Sequence, residues 1–214
     1  GQKAETYLAG IDKSELTASD IVAWNEAAVR VGASRWAAQL QVPPQSPKGR
    51  PIIRLTKGNP GQTCIQIVPA NEKEKENEKT QSDVPSHCTY GQVWPASLSI
   101  SPDGKMMTLA VQPLDSWREM WVFRQDKKEW QLTIMPPAFD TPELGYIEFA
   151  GWVPGNQQML VAREVSVKGQ TKTSFELWNR DTLAVERRAD KPGNLSAFYR
   201  WQDPNWKNMT VTVR

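Results

Sequence analysis

Residues 97 to 111 have the sequence Ser97-Leu-Ser-Ile-Ser-Pro-Asp-Gly-Lys-Met-Met-Thr-Leu-Ala-Val111, which predicts two short β-strands joined by a turn. Proline fixes its own φ, glycine accepts positive φ, and an aspartate side chain hydrogen-bonds the backbone that follows it. Ser-Pro-Asp-Gly is therefore a strong turn signal. The residues on either side alternate or are apolar, so the stretch predicts an antiparallel hairpin.

The same pattern recurs in Phe149-Ala-Gly-Trp-Val-Pro-Gly-Asn-Gln-Gln-Met-Leu-Val-Ala-Arg163, where Met159 takes the place of Met107. The segments that follow the two hairpins also match. An aromatic strand that ends at Asp126 corresponds to one that ends at Asp181, and a shorter strand follows each. The period is about 50 residues, which is typical of a repeated four-stranded antiparallel unit.

From Gly32 onward, clusters of Pro, Gly, Asn and Asp interrupt the chain about every 8 to 15 residues, and the pieces between them are rich in Val, Ile, Thr and aromatic residues. This composition predicts many short strands and disfavours a parallel βαβ arrangement, because few helical patterns intervene. The predicted strands are Trp36 to Val42, Ile52 to Thr56, Thr63 to Val68, Thr89 to Val93, Ser97 to Ser101, Met106 to Gln112, Glu119 to Arg124, Gln131 to Met135, Tyr146 to Trp152, Met159 to Val165, Ser174 to Asn179, Leu183 to Arg187, Ala197 to Trp201 and Met209 to Val213.

Residues 1 to 31 differ in character from residues 32 to 214, so we divide the chain into an N-terminal segment and a repeat domain. The segment has a candidate helix cap at Ser19 or Asp20. Apolar residues follow at helical spacing, at Ile21, Trp24, Ala28 and Val31. The pattern predicts a short amphipathic helix, and the alternative is a strand from Ile21 to Trp24.

The sequence Ile100-Ser-Pro-Asp-Gly-Lys-Met-Met-Thr-Leu-Ala110, with Met120-Trp-Val-Phe123, resembles the WD40-like β-propeller repeat of the TolB type. The resemblance covers residues 97–213 in one good copy and two degenerate ones, the last over residues 198–213. It implies an all-β protein of tandem four-stranded antiparallel blades, in a partial or small propeller, often outside the cytoplasm. A β-sandwich of the same hairpins is the alternative. A ring usually needs four to eight blades, so a shorter one exposes an apolar face that self-association or a partner covers.

Charge and hydropathy exclude some classes of partner. The 214 residues carry 26 basic and 24 acidic side chains, a formal net charge of +2, which favours neither nucleic acid nor an anionic membrane. No apolar stretch approaches the roughly 18 residues of a membrane-spanning helix. We therefore expect no nucleic-acid partner and no transmembrane segment.

The two cysteines, Cys64 and Cys88, flank a strongly polar segment over residues 71–79. A disulfide between them would close this segment as a loop, and the alternative is two unrelated buried thiols. Disulfides persist in oxidising compartments. Together with the resemblance, the cysteines predict a periplasmic or secreted protein.

The residue types that carry catalysis are sparse. His87 is the only histidine. Its sequence neighbours are Ser86 and Cys88, and adjacent residues of an extended strand do not normally direct both side chains at one substrate. Asp103 and Asp203 each stand beside a proline, where aspartate is the expected turn residue. No zinc-type cysteine cluster, phosphate-binding loop, dinucleotide motif or nucleophile elbow occurs. We predict no catalytic residue, no metal and no cofactor.

Ten tryptophans are the unusual feature of the composition. Trp152 and Trp201 stand at repeat-equivalent positions and are expected to pack between blades. Trp117 and Trp206 lie in polar, turn-like surroundings, which makes them the candidate binding residues for a protein partner or a sugar ring.

These observations predict a non-catalytic binding or scaffolding module of the cell envelope or secreted space, which contacts a protein partner through blade loops. Two alternatives stay open at this point. One is a propeller-like accessory domain of a larger hydrolase or peptidase, and the other is a carbohydrate-binding domain. Propellers serve unrelated functions, so the resemblance does not choose among them.

Overall fold

A computed structural model describes residues 2–33, 49–68, 86–127, 129–138, 144–204 and 206. This part of the chain is mostly β and also contains α-helices. Its strands are β1 Ile52–Lys57, β2 Thr63–Val68, β3 Ser86–Thr89, β4 Gln92–Ile100, β5 Met106–Leu114, β6 Trp117–Asp126, β7 Glu129–Met135, β8 Leu144–Trp152, β9 Gln158–Val167, β10 Gln170–Asn179 and β11 Val185–Ala189. The predicted strands Trp36 to Val42 and Met209 to Val213 lie outside the described residues.

Strands adjacent in sequence pair antiparallel in three groups. β1, β2 and β3 form a three-stranded sheet, whereas β4 to β7 and β8 to β11 form two four-stranded meanders. A short parallel pairing of Trp117 with Gly145 and of Arg118 with Tyr146 joins the two meanders into one sheet. Within the described residues this sheet ends at β4 and β11, which do not pair with each other, so these strands form an open sheet.

The backbone register of the two meanders is equivalent. The Ser101 amide donates to the Met106 carbonyl at 2.8 Å, and the Val153 amide donates to the Gln158 carbonyl at 3.1 Å. One residue further on, Met107 pairs with Phe123 in the first meander. Met159 pairs with Trp178 at the same place in the second, which confirms the sequence match of the two methionines.

Apolar side chains fill the spaces between stacked layers. Because strand side chains alternate between faces, Met107 packs toward β1–β3 and Met106 packs toward the second meander. The first layer contact joins Ile53, Ile65 and Ile67 to Leu109, Trp121 and Phe123. The next joins Met106, Met120 and Val122 to Ile147, Met159, Val161 and Trp178. The outer face of the second meander, with Leu160, Phe175 and Leu177, is covered by Leu195, Phe198 and Trp206.

The N-terminal segment is helical, so the strand alternative for Ile21 to Trp24 is wrong. Helix α1 spans Gln2–Ala9 and helix α2 spans Ala18–Ala33. Thr17 and Asp20 exchange hydrogen bonds at the start of α2, which makes Thr17, not the predicted Ser19 or Asp20, the capping residue. The buried Trp24 donates from its indole nitrogen to the Leu8 carbonyl at 3.2 Å and so joins the two helices.

The predicted strand Ala197 to Trp201 is wrong. The third helix, α3, spans Ser196–Trp201. This helix packs closely against β8. A Cβ added to Gly151 on β8 would lie only 2.4 Å from the Trp201 carbonyl oxygen, so the close approach requires glycine. The Asp203 amide also donates to the Ala150 carbonyl at 2.7 Å. Trp201 is 44% exposed, so the expectation that it packs between blades is wrong.

Two further strand predictions are misplaced. The strand from Thr89 to Val93 straddles the tight turn at Tyr90 and Gly91, where the chain passes from β3 to β4. The strand from Leu183 begins two residues too early, because Leu183 itself has a positive φ of 56° in the preceding turn. The predicted strand Ser97 to Ser101 covers only the second half of β4, which begins five residues earlier at Gln92. The other predictions over described residues coincide with strands to within four residues.

The predicted disulfide is confirmed. Cys64 on β2 and Cys88 on β3 are direct register partners, with their Cα atoms 3.9 Å apart. Cys64 is buried and Cys88 is exposed. The bond therefore fixes the short edge strand β3 to its neighbour.

Candidate binding surface

Trp117 lies at the beginning of β6 and is half-buried. It pairs in register with Leu114 across the turn between β5 and β6. Leu114 is 66% exposed. The pair places a large apolar side chain in solvent directly beside an indole ring, at one end of the first meander.

A second turn meets this one. Tyr90, in the turn between β3 and β4, is 69% exposed. A Cβ added to the next residue, Gly91, would lie only 2.8 Å from the Cα of Pro113. The two turns are thus in backbone contact, and only glycine allows this approach. We call Tyr90, Pro113, Leu114 and Trp117 the turn surface.

Hydrogen bonds hold both turns in place. The buried Gln112 donates from its side-chain amide to the Asp115 carbonyl at 3.0 Å and accepts from the indole of Trp94 at 3.2 Å. In the other turn, the Gly91 amide donates to the Thr89 hydroxyl at 2.9 Å. Exposed apolar groups on a fixed frame lose little conformational entropy on binding, which favours them as contact residues.

Trp206 was expected to be exposed, and this expectation is wrong. It is 6% exposed and packs against Phe198, with 5.8 Å between ring centroids. Its indole nitrogen donates to Glu148 at 2.9 Å. The ring therefore belongs to the core, and its face is occupied by neighbouring side chains.

Glu148 belongs to a buried ionic group behind the turn surface. It pairs with Arg118, and both side chains are almost fully buried. The guanidinium carbon of Arg118 lies 4.8 Å from the ring centroid of Tyr146. The hydroxyl of Tyr146 in turn donates to Glu164 at 3.1 Å. Arg118 directly follows Trp117 in sequence, so this group anchors the beginning of β6.

A second buried carboxylate, Glu176, has several donors. It accepts hydrogen bonds from Trp178 at 2.8 Å and Ser174 at 2.9 Å, and it pairs with Arg188 at 2.9 Å and Arg163 at 3.5 Å. Burial lowers the pKa of Arg163, and the charge of Glu176 opposes this shift. A carboxylate with this many hydrogen-bond donors has a structural role.

His87, Asp103 and Asp203, the residue types most often associated with catalysis, all have structural surroundings. His87 is half-buried with its ring centroid 5.7 Å from that of Phe123, and burial lowers its pKa. Asp103 accepts from the Ser101 hydroxyl at 2.6 Å and the Lys105 amide at 3.1 Å, as predicted for a turn aspartate. Asp203 lies half-buried beside β8. Across the described parts of the chain, no three His, Cys, Asp or Glu side chains are placed to hold a metal ion.

Trp152 packs between the two four-stranded meanders, as the repeat pattern predicts for a large ring. It is half-buried in the layer between the two meanders. Its indole nitrogen donates to the Ser99 hydroxyl on β4 at 3.0 Å, across 53 residues of sequence. A small cavity of about 20 Å³ lies nearby, lined in part by Ser97, Thr108 and Glu148, which is too small for anything larger than water.

Three residues of the turn surface were not predicted, Tyr90, Pro113 and Leu114. The sequence signal of Tyr90 and Leu114 is weak but readable, since each is an apolar residue next to a turn former, Gly91 or Asp115. Such a residue does not fit the inward alternation of a strand.

None of the helices within the described residues has the length and apolar character needed to cross a membrane. Comparison of the chain with family models, with curated proteins and with solved structures finds no match. The resemblance of residues 97–213 to the TolB-type repeat stays a prediction. The fold and the surface themselves carry the functional argument.

Proposed function

We propose that this chain is a non-catalytic module that binds a protein partner through the turn surface. One observation supports it most directly. Tyr90 and Leu114 expose 69% and 66% of their area on two contacting turns, whereas the apolar side chains of the core clusters are packed between the layers. Large apolar side chains on a rigid frame are the usual anchors of protein interfaces.

The location proposed for this activity is the periplasm or the secreted space. The Cys64–Cys88 disulfide supports it, because such bonds persist where thiols are not kept reduced. A partner would then be another protein of the same compartment. Its contact area would centre on the turn surface, with an apolar patch opposite Leu114.

The alternative of a sugar-binding platform has less support. It relied on two exposed tryptophans, and the ring of Trp206 is buried. Trp117 alone is half-buried at the margin of the surface. Protein recognition uses Tyr90 and Leu114 as well, and it is therefore the better proposal.

The test is affinity capture with matched variants. The immobilised wild-type chain and its Leu114→Lys variant are exposed to an extracytoplasmic protein fraction, and retained proteins are quantified by mass spectrometry. The control is Val185→Lys, which places the same charge at a 40% exposed valine on β11. We expect a protein retained by wild type and control that is reduced at least tenfold by Leu114→Lys. Equal retention by all three chains would refute the turn surface as the binding site.

A further inference from the structure

The outer edge of β7, Glu129–Met135, has no partner strand among the described residues. β7 pairs with β6 along its whole length. On its other side, no described strand pairs with β7. Within the described residues, no strand pairs with its outward backbone N–H and C=O groups, as at an open sheet edge.

The other outer strands carry features that discourage such pairing, and β7 does not. β1 contains Arg54 and Lys57, and β4 contains Pro95 and a register shift between Trp94 and Ser99. β11 has Glu186, Arg187 and Arg188 among its five residues, all exposed. β3 has only four residues. In β7 the only charge is Glu129 at its first position, and the six residues after it are uncharged. Charged and very short edges are the usual protection against edge-to-edge association.

We propose that β7 pairs antiparallel with β7 of a second copy of this chain, in a register centred on Leu132. A two-fold axis makes such a pairing reciprocal, so it closes as a dimer. Residues whose numbers add to 264 stand opposite each other. Trp130 then faces Ile134 of the second copy, Gln131 faces its Thr133, and Leu132 faces its Leu132.

This register matches side chains by type. Directly opposite residues of an antiparallel pair lie on the same face, so the apolar set meets an apolar set. Trp130 and Leu132 already pack against the first core cluster, and Ile134 beyond them is 45% exposed. The dimer would extend this core across the axis and cover Ile134.

The register also separates the only charges. Glu129 faces Met135 of the second copy, so the two Glu129 carboxylates stand at opposite ends of the paired strands. Six residue steps of about 3.4 Å put them about 20 Å apart. This exceeds the Debye length of about 8 Å at physiological salt, so their repulsion is screened.

The interface would be small, since each copy contributes one seven-residue strand. Interfaces of this size give weak, concentration-dependent association, on the order of tens of micromolar. No residue of the turn surface belongs to β7, so the proposed dimer does not depend on the proposed function.

Sedimentation equilibrium from low micromolar to several hundred micromolar tests the proposal. We expect the mean mass of the wild type to rise from one chain toward two. Ile134→Lys should stay monomeric throughout, because it places a charge from each copy into the apolar contact across the axis, and lysine on an edge strand discourages pairing. Val185→Lys, on the charged edge β11, should behave as wild type. A wild type that stays monomeric, or an Ile134→Lys variant that dimerises equally, overturns the proposal.

Hydrogen exchange gives a second readout on the unmodified chain. Outward amides of β7 should become protected as the concentration rises, whereas those of β11 should not change. Concentration-independent exchange throughout β7 would overturn the proposed pairing even if the chain associates by another route.

Discussion

The guanidinium of Arg180 lies 2.5 Å from the carboxylate of Asp103 and joins the ends of the two meanders. Asp103 stands in the turn between β4 and β5, and Arg180 directly follows β10. Nearby, Arg124 of the first meander donates to the Asp181 carbonyl of the second. Each meander thus donates an arginine hydrogen bond to a turn of the other.

This contact should make stability depend on acid pH. Burial raises the pKa of Asp103, but hydrogen bonds from Arg180 and Ser101 outweigh it and lower the pKa to about 2, from 3.8. A lowered pKa means that the carboxylate stabilises the fold above pH 3.8 and that this contribution is lost as the pH falls toward 2. We expect a loss of about 1 kcal/mol over this range, because the side chain is partly solvated.

Urea unfolding at several pH values, on wild type and Asp103→Asn, measures this contribution. The variant should already lack it at neutral pH, so the difference between the two proteins should shrink on acidification. Asp126→Asn, at the exposed last residue of β6, is the control and should follow the wild type. A constant difference from neutral pH to pH 2 would contradict the assignment.

Phe198 should be essential to the cover of the second meander. It is fully buried, and its ring centroid lies 5.3 Å from that of Phe175. Phe198→Ala should cost about 3–5 kcal/mol in the free energy of unfolding, since it opens a cavity beneath α3. The next residue, Tyr199, is 79% exposed, and Tyr199→Ala should change stability by less than about 0.5 kcal/mol. Chemical denaturation compares the two; similar losses would mean that α3 does not cover the core.

The disulfide should stabilise the fold by restricting the unfolded chain. The Cys64–Cys88 bond spans 24 residues of sequence. On the loop-entropy model, replacing both cysteines by alanine costs about 3 kcal/mol. Reductant should destabilise the wild type by a similar amount and leave the double variant unchanged. Thiol titration in denaturant without reductant should find no free thiol, and two free thiols would contradict the bond.

The buried pair of Arg118 and Glu148 should be costly to break from one side. Glu148→Gln leaves the Arg118 cation buried without its counter-charge, so we expect a loss of about 3 kcal/mol. Replacing both, by Arg118→Met with Glu148→Leu, should recover much of this loss, because both charges of the pair are then removed. Glu186→Gln, at an exposed carboxylate, should have a much smaller effect. Thermal and urea unfolding of the three variants measure these differences. A double variant as unstable as Glu148→Gln would contradict the explanation that the unpaired buried charge causes the loss of stability.

The strands were predictable because their signals are local. Alternation and turn residues place β2 at Thr63–Val68 and start β5 at Met106, as the structure has them. The match of Met107 with Met159 also came from local pattern, since both follow a turn of the same length. The helix α3 was missed because Phe198, Tyr199 and Trp201 favour strands intrinsically, and packing against β8 overrode that preference.

The candidate surface was only partly predictable. Trp117 was singled out by its polar neighbours, and it does lie at the margin of the turn surface. Trp206 has equally polar neighbours and is buried. Neighbours in sequence do not report which distant groups approach a side chain, so the same signal gave two outcomes.

The sequence by itself determined the hairpins, their turns, the repeated unit and the partners in the disulfide, because each depends on residues close together along the chain or on a single pair of thiols. Only the tertiary structure decided that Trp206 donates to Glu148, 58 residues away, and that Tyr90 and Leu114 stand exposed on contacting turns. Burial is a property of the contacts between layers, and these form between residues that no local pattern connects.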